Sequence, residues 1–155
     1  MKKIVFGIGI LLIITFVVFA AINSVAKKQN RSGKVEIVTT LFPLYDFAKN
    51  IGGDNVEVSL LLPPGIESHT FEPKPSDIVK INGAVLFVFT GKFMEPWAQD
   101  IIDGLSNKDI KIVDSSVGIE LLKRDGGTDP HIWLDFDNAK IMVDNIAKNL
   151  AEKDF

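Results

Sequence analysis

The chain is predicted to fold as an α/β domain: a mainly parallel four-stranded sheet flanked by helices and preceded by an N-terminal hydrophobic helix. Two observations carry this. Short runs rich in β-branched residues alternate along the chain with apolar stripes of helical period. One of those runs, Val85-Leu86-Phe87-Val88-Phe89-Thr90, is apolar for most of its length, as suits a strand covered on both faces.

In chain order, Val35-Glu36-Ile37-Val38-Thr39-Thr40 is β-branched and reads as the first strand. Pro43 opens a helix in its first turn. Leu44, Phe47, Ala48 and Ile51 follow at i, i+3, i+4 and i+7, a single apolar stripe that Gly52-Gly53 stops. Residues 56–62 form the second strand, ended by Pro63-Pro64-Gly65. Pro75-Ser76-Asp77 starts a helix with Ile78, Val79 and Ile81 on its apolar side and Gly83 at its end. Residues 85–90 are the third strand. Trp97, Ile101, Ile102 and Leu105 fit a helix ending near Asn107, and Ile110-Lys111-Ile112-Val113-Asp114 is the fourth strand. Residues 115–129 are irregular, with Gly126-Gly127 loosening them and Lys123-Arg124-Asp125 as a solvated loop. Asp135 caps the last helix and Phe136 takes its first position; Ala139, Met142, Val143, Ile146 and Leu150 form its buried stripe.

The N-terminus bears on compartment. Met1-Lys2-Lys3 is a short basic start, and residues 4–22 carry no charge. That length is close to the ~20 residues that span a bilayer and exceeds a signal-peptide apolar region of about 7–15. Ser24-Val25-Ala26 nevertheless offers small residues for cleavage, so a cleaved signal and an uncleaved anchor are both open. Lysine and arginine flank both ends, and charge bias does not set an orientation.

Composition excludes several function classes. A net charge of -3 gives no electrostatic support to a nucleic-acid partner. Cysteine is absent, so this sequence holds no disulfide framework, zinc ribbon, thiolate nucleophile or diacylglyceryl-cysteine anchor. The two histidines are then the obvious carriers of chemistry at neutral pH. His69 lies in Glu67-Ser68-His69-Thr70-Phe71-Glu72-Pro73, and His131 in Asp129-Pro130-His131-Ile132-Trp133-Leu134-Asp135, both non-periodic and beside carboxylates. One follows the second strand and the other the fourth, so both loops can open on the carboxyl rim of a parallel sheet, where ligands bind.

One reading is a shared metal site, with Glu67, Glu72, Asp129 and Asp135 completing the shell or orienting the rings. The alternative is two ordinary loop histidines. A Ser-His-Asp triad using Ser68 or Ser115 lacks a nucleophile-elbow pattern. Glu72 and Asp135 as paired acid and base lack a sugar-binding aromatic cluster. Trp133 is read as core, with packing behind a ligand as the alternative.

The run His69-Thr70-Phe71-Glu72-Pro73-Lys74-Pro75-Ser76-Asp77 resembles the first metal-ligand motif of the zinc/manganese solute-binding proteins of ABC transporters. Asp129-Pro130-His131-Ile132-Trp133-Leu134-Asp135, followed by Asn138-Ala139, resembles their second, and Thr39-Thr40-Leu41-Phe42-Pro43-Leu44 their first strand and turn. The similarity runs in order from about Val35 onward. It implies two α/β lobes joined by a long helix, with the metal clamped between them. By the motif match His69 and His131 are the metal ligands of the N-terminal lobe, the other two coming from the second lobe. On this reading the chain looks truncated within the connecting helix. Phe136 stands where the family usually has proline, and no histidine-rich loop separates the motifs.

The resemblance therefore implies a signal peptide or anchor plus tether over 1–32, an N-terminal metal-binding lobe over 33–135, and the start of the interlobe helix over 136–155. It implies a binding protein rather than an enzyme: an extracytoplasmic, monomeric receptor that hands zinc or manganese to an ABC permease. Metal-dependent hydrolysis with Glu72 as base, and a tethered interaction domain without metal, are the competing classes.

Overall fold

A computed structural model describes residues 33–124 and 126–152. The apolar run at 4–22, and with it the expected N-terminal helix, lies outside the described residues. The chain divides after Gly33, and the unit from Lys34 onward carries every element below.

The order is β1 (Val35–Thr39), α1 (Phe42–Gly52), a single 3₁₀ turn (Gly53–Asn55), β2 (Val56–Leu60), α2 (Pro75–Gly83), β3 (Leu86–Phe89), α3 (Ala98–Gly104) and β4 (Lys111–Asp114). A short hairpin, β5 (Lys123–Arg124) with β6 (Gly127–Thr128), and a 3₁₀ turn (Ile132–Leu134) lead into α4 (Phe136–Ala151). The four long strands form one sheet in the order β2-β1-β3-β4, every pair parallel, as expected. Val35 pairs with Val56 in β2, and Ile37 with Leu86 in β3.

Successive strand residues point to opposite faces, and here both faces are covered. Ile37, Leu86 and Val88 pack with Leu44 and Ala48 of α1 and Met142, Ile146 and Leu150 of α4. Their neighbours Val38, Phe87 and Phe89 pack on the other side with Ile81 and Ala98. The uninterrupted apolar run in β3 is thus the signature of a central strand in a three-layer sandwich.

Local chemistry sets the ends. Pro43 lies within the first two positions of α1, where no N–H is needed. The Asp77 carboxylate accepts from the backbone N–H of Lys74 at 2.9 Å, closing the start of α2. Asp135 accepts from the N–H groups of Asp137 (2.9 Å) and Asn138 (3.0 Å) and caps α4 as its sequence implies.

Four expectations are corrected. The stretch 115–129 is not wholly irregular: β5 and β6 pair antiparallel, and Asp129 N–H extends the hairpin to Leu122 O at 2.8 Å. The third helix is shorter than expected, because Trp97 sits at its N-cap and Leu105 N–H turns back to Ile102 O. In α2, Val79 is 67% exposed and only Ile81 is deeply buried. The second strand ends at Leu60, although Leu61 and Leu62 still donate to Thr39 O and Thr40 O.

The strand order reverses direction between β1 and β3, the crevice where open α/β sheets usually receive a ligand. Here a buried carboxylate bridges the strand ends. Glu95 accepts from the Thr40 hydroxyl after β1, from Thr90 N–H (3.1 Å) and from Gly91 N–H (3.1 Å) after β3. The rim is therefore occupied at its centre, and the histidine loops emerge from the flanks.

Candidate metal site

His69 lies in the loop between β2 and α2. Pro63-Pro64-Gly65 turns the chain away from the sheet, with Gly65 at φ 83°, a backbone shape that favours glycine. The Glu67 carboxylate accepts from His69 N–H at 3.1 Å and folds the loop locally. The same oxygen is 3.9 Å from the ring Nε2, longer than a hydrogen bond. Ser68 is tied to the loop after β3: its hydroxyl donates to Met94 Sδ at 2.9 Å, and its carbonyl accepts from Trp97 Nε1 at 2.8 Å.

His131 follows the hairpin and leads into the 3₁₀ turn. Asp129 Oδ1 accepts from His131 N–H at 3.1 Å and lies 2.9 Å from Nδ1. Arg124 Nε meets the other carboxylate oxygen at 3.1 Å. The Asp129 carboxyl is held below the usual range, first by the His131 amide and then by the His131 ring, with Arg124 adding charge. An ionised carboxylate only accepts, so it keeps the proton on Nδ1 and leaves the Nε2 lone pair for a ligand. Trp133 packs against the core, as read, and its ring also lies 5.4 Å from the His131 imidazole between centroids.

The two loops bring the rings together. Their centroids are 6.2 Å apart at 82°, and the side chains are 38% and 49% exposed. A cation ~2.1 Å from each nitrogen places the ring centres of a tetrahedral pair roughly 5 Å apart. The observed spacing is about an ångström wider. The rings border an open pocket of about 650 Å³ whose walls include Leu41, Phe42, Leu62, Ile66 and Met94.

The other candidates lie elsewhere or are already engaged. Among the described residues no group of three or more histidines and carboxylates converges on one point. Asp135 is committed to the α4 cap, and Glu72 is exposed. Ser68 gives its hydroxyl to Met94, and buried Ser115 gives its own to Phe89 O at 3.0 Å, so neither is poised as a nucleophile. Sequence reasoning missed the contacts of Arg124, Met94, Glu95 and the indole N–H of Trp97, because each reaches a partner that no local spacing pattern reports.

The sequence and the fold both match known proteins. Residues 37–154 match the family model described as zinc-uptake complex component A, periplasmic. The high-affinity zinc uptake system protein ZnuA of Bacillus subtilis (strain 168) is 32% identical over 157 residues, covering 90% of this chain and 49% of that protein. The manganese-binding lipoprotein MntA of Halalkalibacterium halodurans is 31% identical over 154 residues, 99% of this chain and 51% of that protein. The chain thus spans about half the length of these curated relatives. Among solved structures, the Zn(II)-bound ZnuA-like domain of Streptococcus pneumoniae AdcA superposes with a TM-score of 0.71 at 37% identity, covering 77% of this chain and 45% of that one.

Proposed function

This chain belongs to the zinc-uptake complex component A family, and from that membership we propose that it carries the metal-capturing N-terminal lobe of a receptor for an ABC importer of zinc or manganese. His69 and His131 are the ligands this lobe contributes. The observation that carries the reading is their convergence, from loops on opposite flanks of the sheet, to 6.2 Å on the carboxyl rim.

Neutral imidazoles supply two nitrogen donors and no charge. A divalent cation needs more, and the relatives, about twice as long as the region matched here, have a second half from which further donors can come. We take residues 33–135 as the lobe and 136–155 as the start of a helix leading to that second half. Residues 1–32 are the export signal or membrane anchor that places the lobe outside the membrane, beside the permease to which it hands the cation. The metal is cargo, and the protein is a monomeric receptor rather than an enzyme.

The test is a competition titration of the full chain with copper(II), zinc and manganese. Two imidazoles alone rank metals by intrinsic nitrogen affinity, so copper exceeds zinc and zinc greatly exceeds manganese. Protons compete for both rings, so binding weakens as pH falls. Tight manganese binding by this chain would contradict a site built from two imidazoles.

A further inference from the structure

The two rings are held in different ways. His131 has a carboxylate 2.9 Å from its Nδ1, whereas the nearest carboxylate oxygen to the His69 ring nitrogen Nε2 is 3.9 Å away. The contacts that hold the His69 segment fall on its backbone neighbours, Ser68 and Phe71. That segment is gripped on both sides by one short stretch of chain. Before it, Ser68 offers its carbonyl to the Trp97 indole N–H (2.8 Å) and its hydroxyl to Met94 Sδ (2.9 Å). After it, the Phe71 ring meets the Trp97 ring edge-on at 5.3 Å.

We propose that Met94 and Trp97 are positioning residues for His69, presented by a loop wound around the Glu95 carboxylate. This rests on the reading of His69 as a ligand. The loop is rigid for stated reasons. Met94 N–H and Glu95 N–H both donate to Gly91 O at 3.0 Å. Glu95 is wholly buried and takes the N–H groups of Thr90 and Gly91 together with the Thr40 hydroxyl, locking the loop to the ends of β1 and β3. Gly91, at φ 147° with Ser116 Oγ 2.7 Å from where a Cβ would stand, makes the tight turn that allows it. Sheet, buried carboxylate, loop, indole and Ser68 carbonyl form one continuous chain of contacts ending at the ligand. A ring on a backbone held this way reaches the cation at a reduced ordering cost.

The experiment uses the full chain in four forms: wild type, Trp97→Phe, Met94→Leu and His69→Ala. Trp97→Phe keeps an aromatic ring against Phe71 while removing the indole donor and trimming the ring system. Zinc affinity is measured by competition, the cobalt(II) absorption spectrum reports ligand geometry, and unfolding without metal reports the fold. Loosening a group that orients a ligand weakens metal binding by about tenfold. We expect that loss in folded Trp97→Phe, with altered cobalt(II) band intensities, and a smaller loss of the same kind in Met94→Leu. Wild-type zinc affinity and an unchanged cobalt spectrum in folded Trp97→Phe, beside a large loss in His69→Ala, would overturn the positioning role alone. Unchanged affinity in His69→Ala would overturn the ligand assignment and this inference with it. If Trp97→Phe does not fold, Met94→Leu decides on the same two readouts.

Discussion

Asp129 divides its two carboxylate oxygens between His131 and Arg124. Asp129→Asn can turn an amide N–H₂ toward Nδ1 and disturb the tautomer, so we expect zinc affinity to fall about tenfold or more by competition titration. Arg124→Ala should cost less, because that side chain is 71% exposed and screened by solvent. Both histidines were legible in the sequence, since two in the whole chain both fall beside carboxylates in long motifs. Arg124 was not, because it reaches Asp129 only when a hairpin of two residue pairs closes. Glu95 makes a separate prediction. Burial holds its carboxyl above the usual value of 4.5, outweighing the hydrogen bonds from Thr40, Thr90 and Gly91 that favour the charged form. A raised folded value means that the folded state binds the proton more tightly. This contribution to stability is therefore full below pH 4.5 and lost as pH rises through the folded value. Urea unfolding at several pH values should show that Glu95→Gln removes this decline; equal pH slopes in both proteins would refute it.

At the scale of elements, the helix that leaves the site depends on one cap. Asp135 satisfies two N–H groups at the start of α4, and Asp135→Ala should lower unfolding stability by about 1 kcal/mol in denaturant titration. A change below a few tenths would show the cap to be redundant. β3 could be read from its unbroken apolar run, because it is buried on both faces, and β1, β2 and β4 from their β-branched residues. The hairpin β5–β6 could not, since two-residue strands have no period to detect. Trp97 was read as part of a helix stripe because its spacing to Ile101 fits one. Its indole donor serves a loop 29 residues away, which no local pattern reports.

Across the molecule, the parallel sheet brings residues 62 positions apart to one rim and leaves their rings partly open. Glu95 occupies the centre of the rim, and the two histidine loops lie at its flanks. The central claim is that His69 and His131 ligate one cation. Zinc K-edge X-ray absorption of the full chain tests it most directly, because imidazole rings give a distinctive multiple-scattering pattern. We expect two imidazoles per zinc in the wild-type chain and a reduced ring count in both His69→Ala and His131→Ala, with zinc–nitrogen distances of about 2.0–2.1 Å. Ring scattering absent from the wild type, or unchanged in either variant, would contradict the assignment.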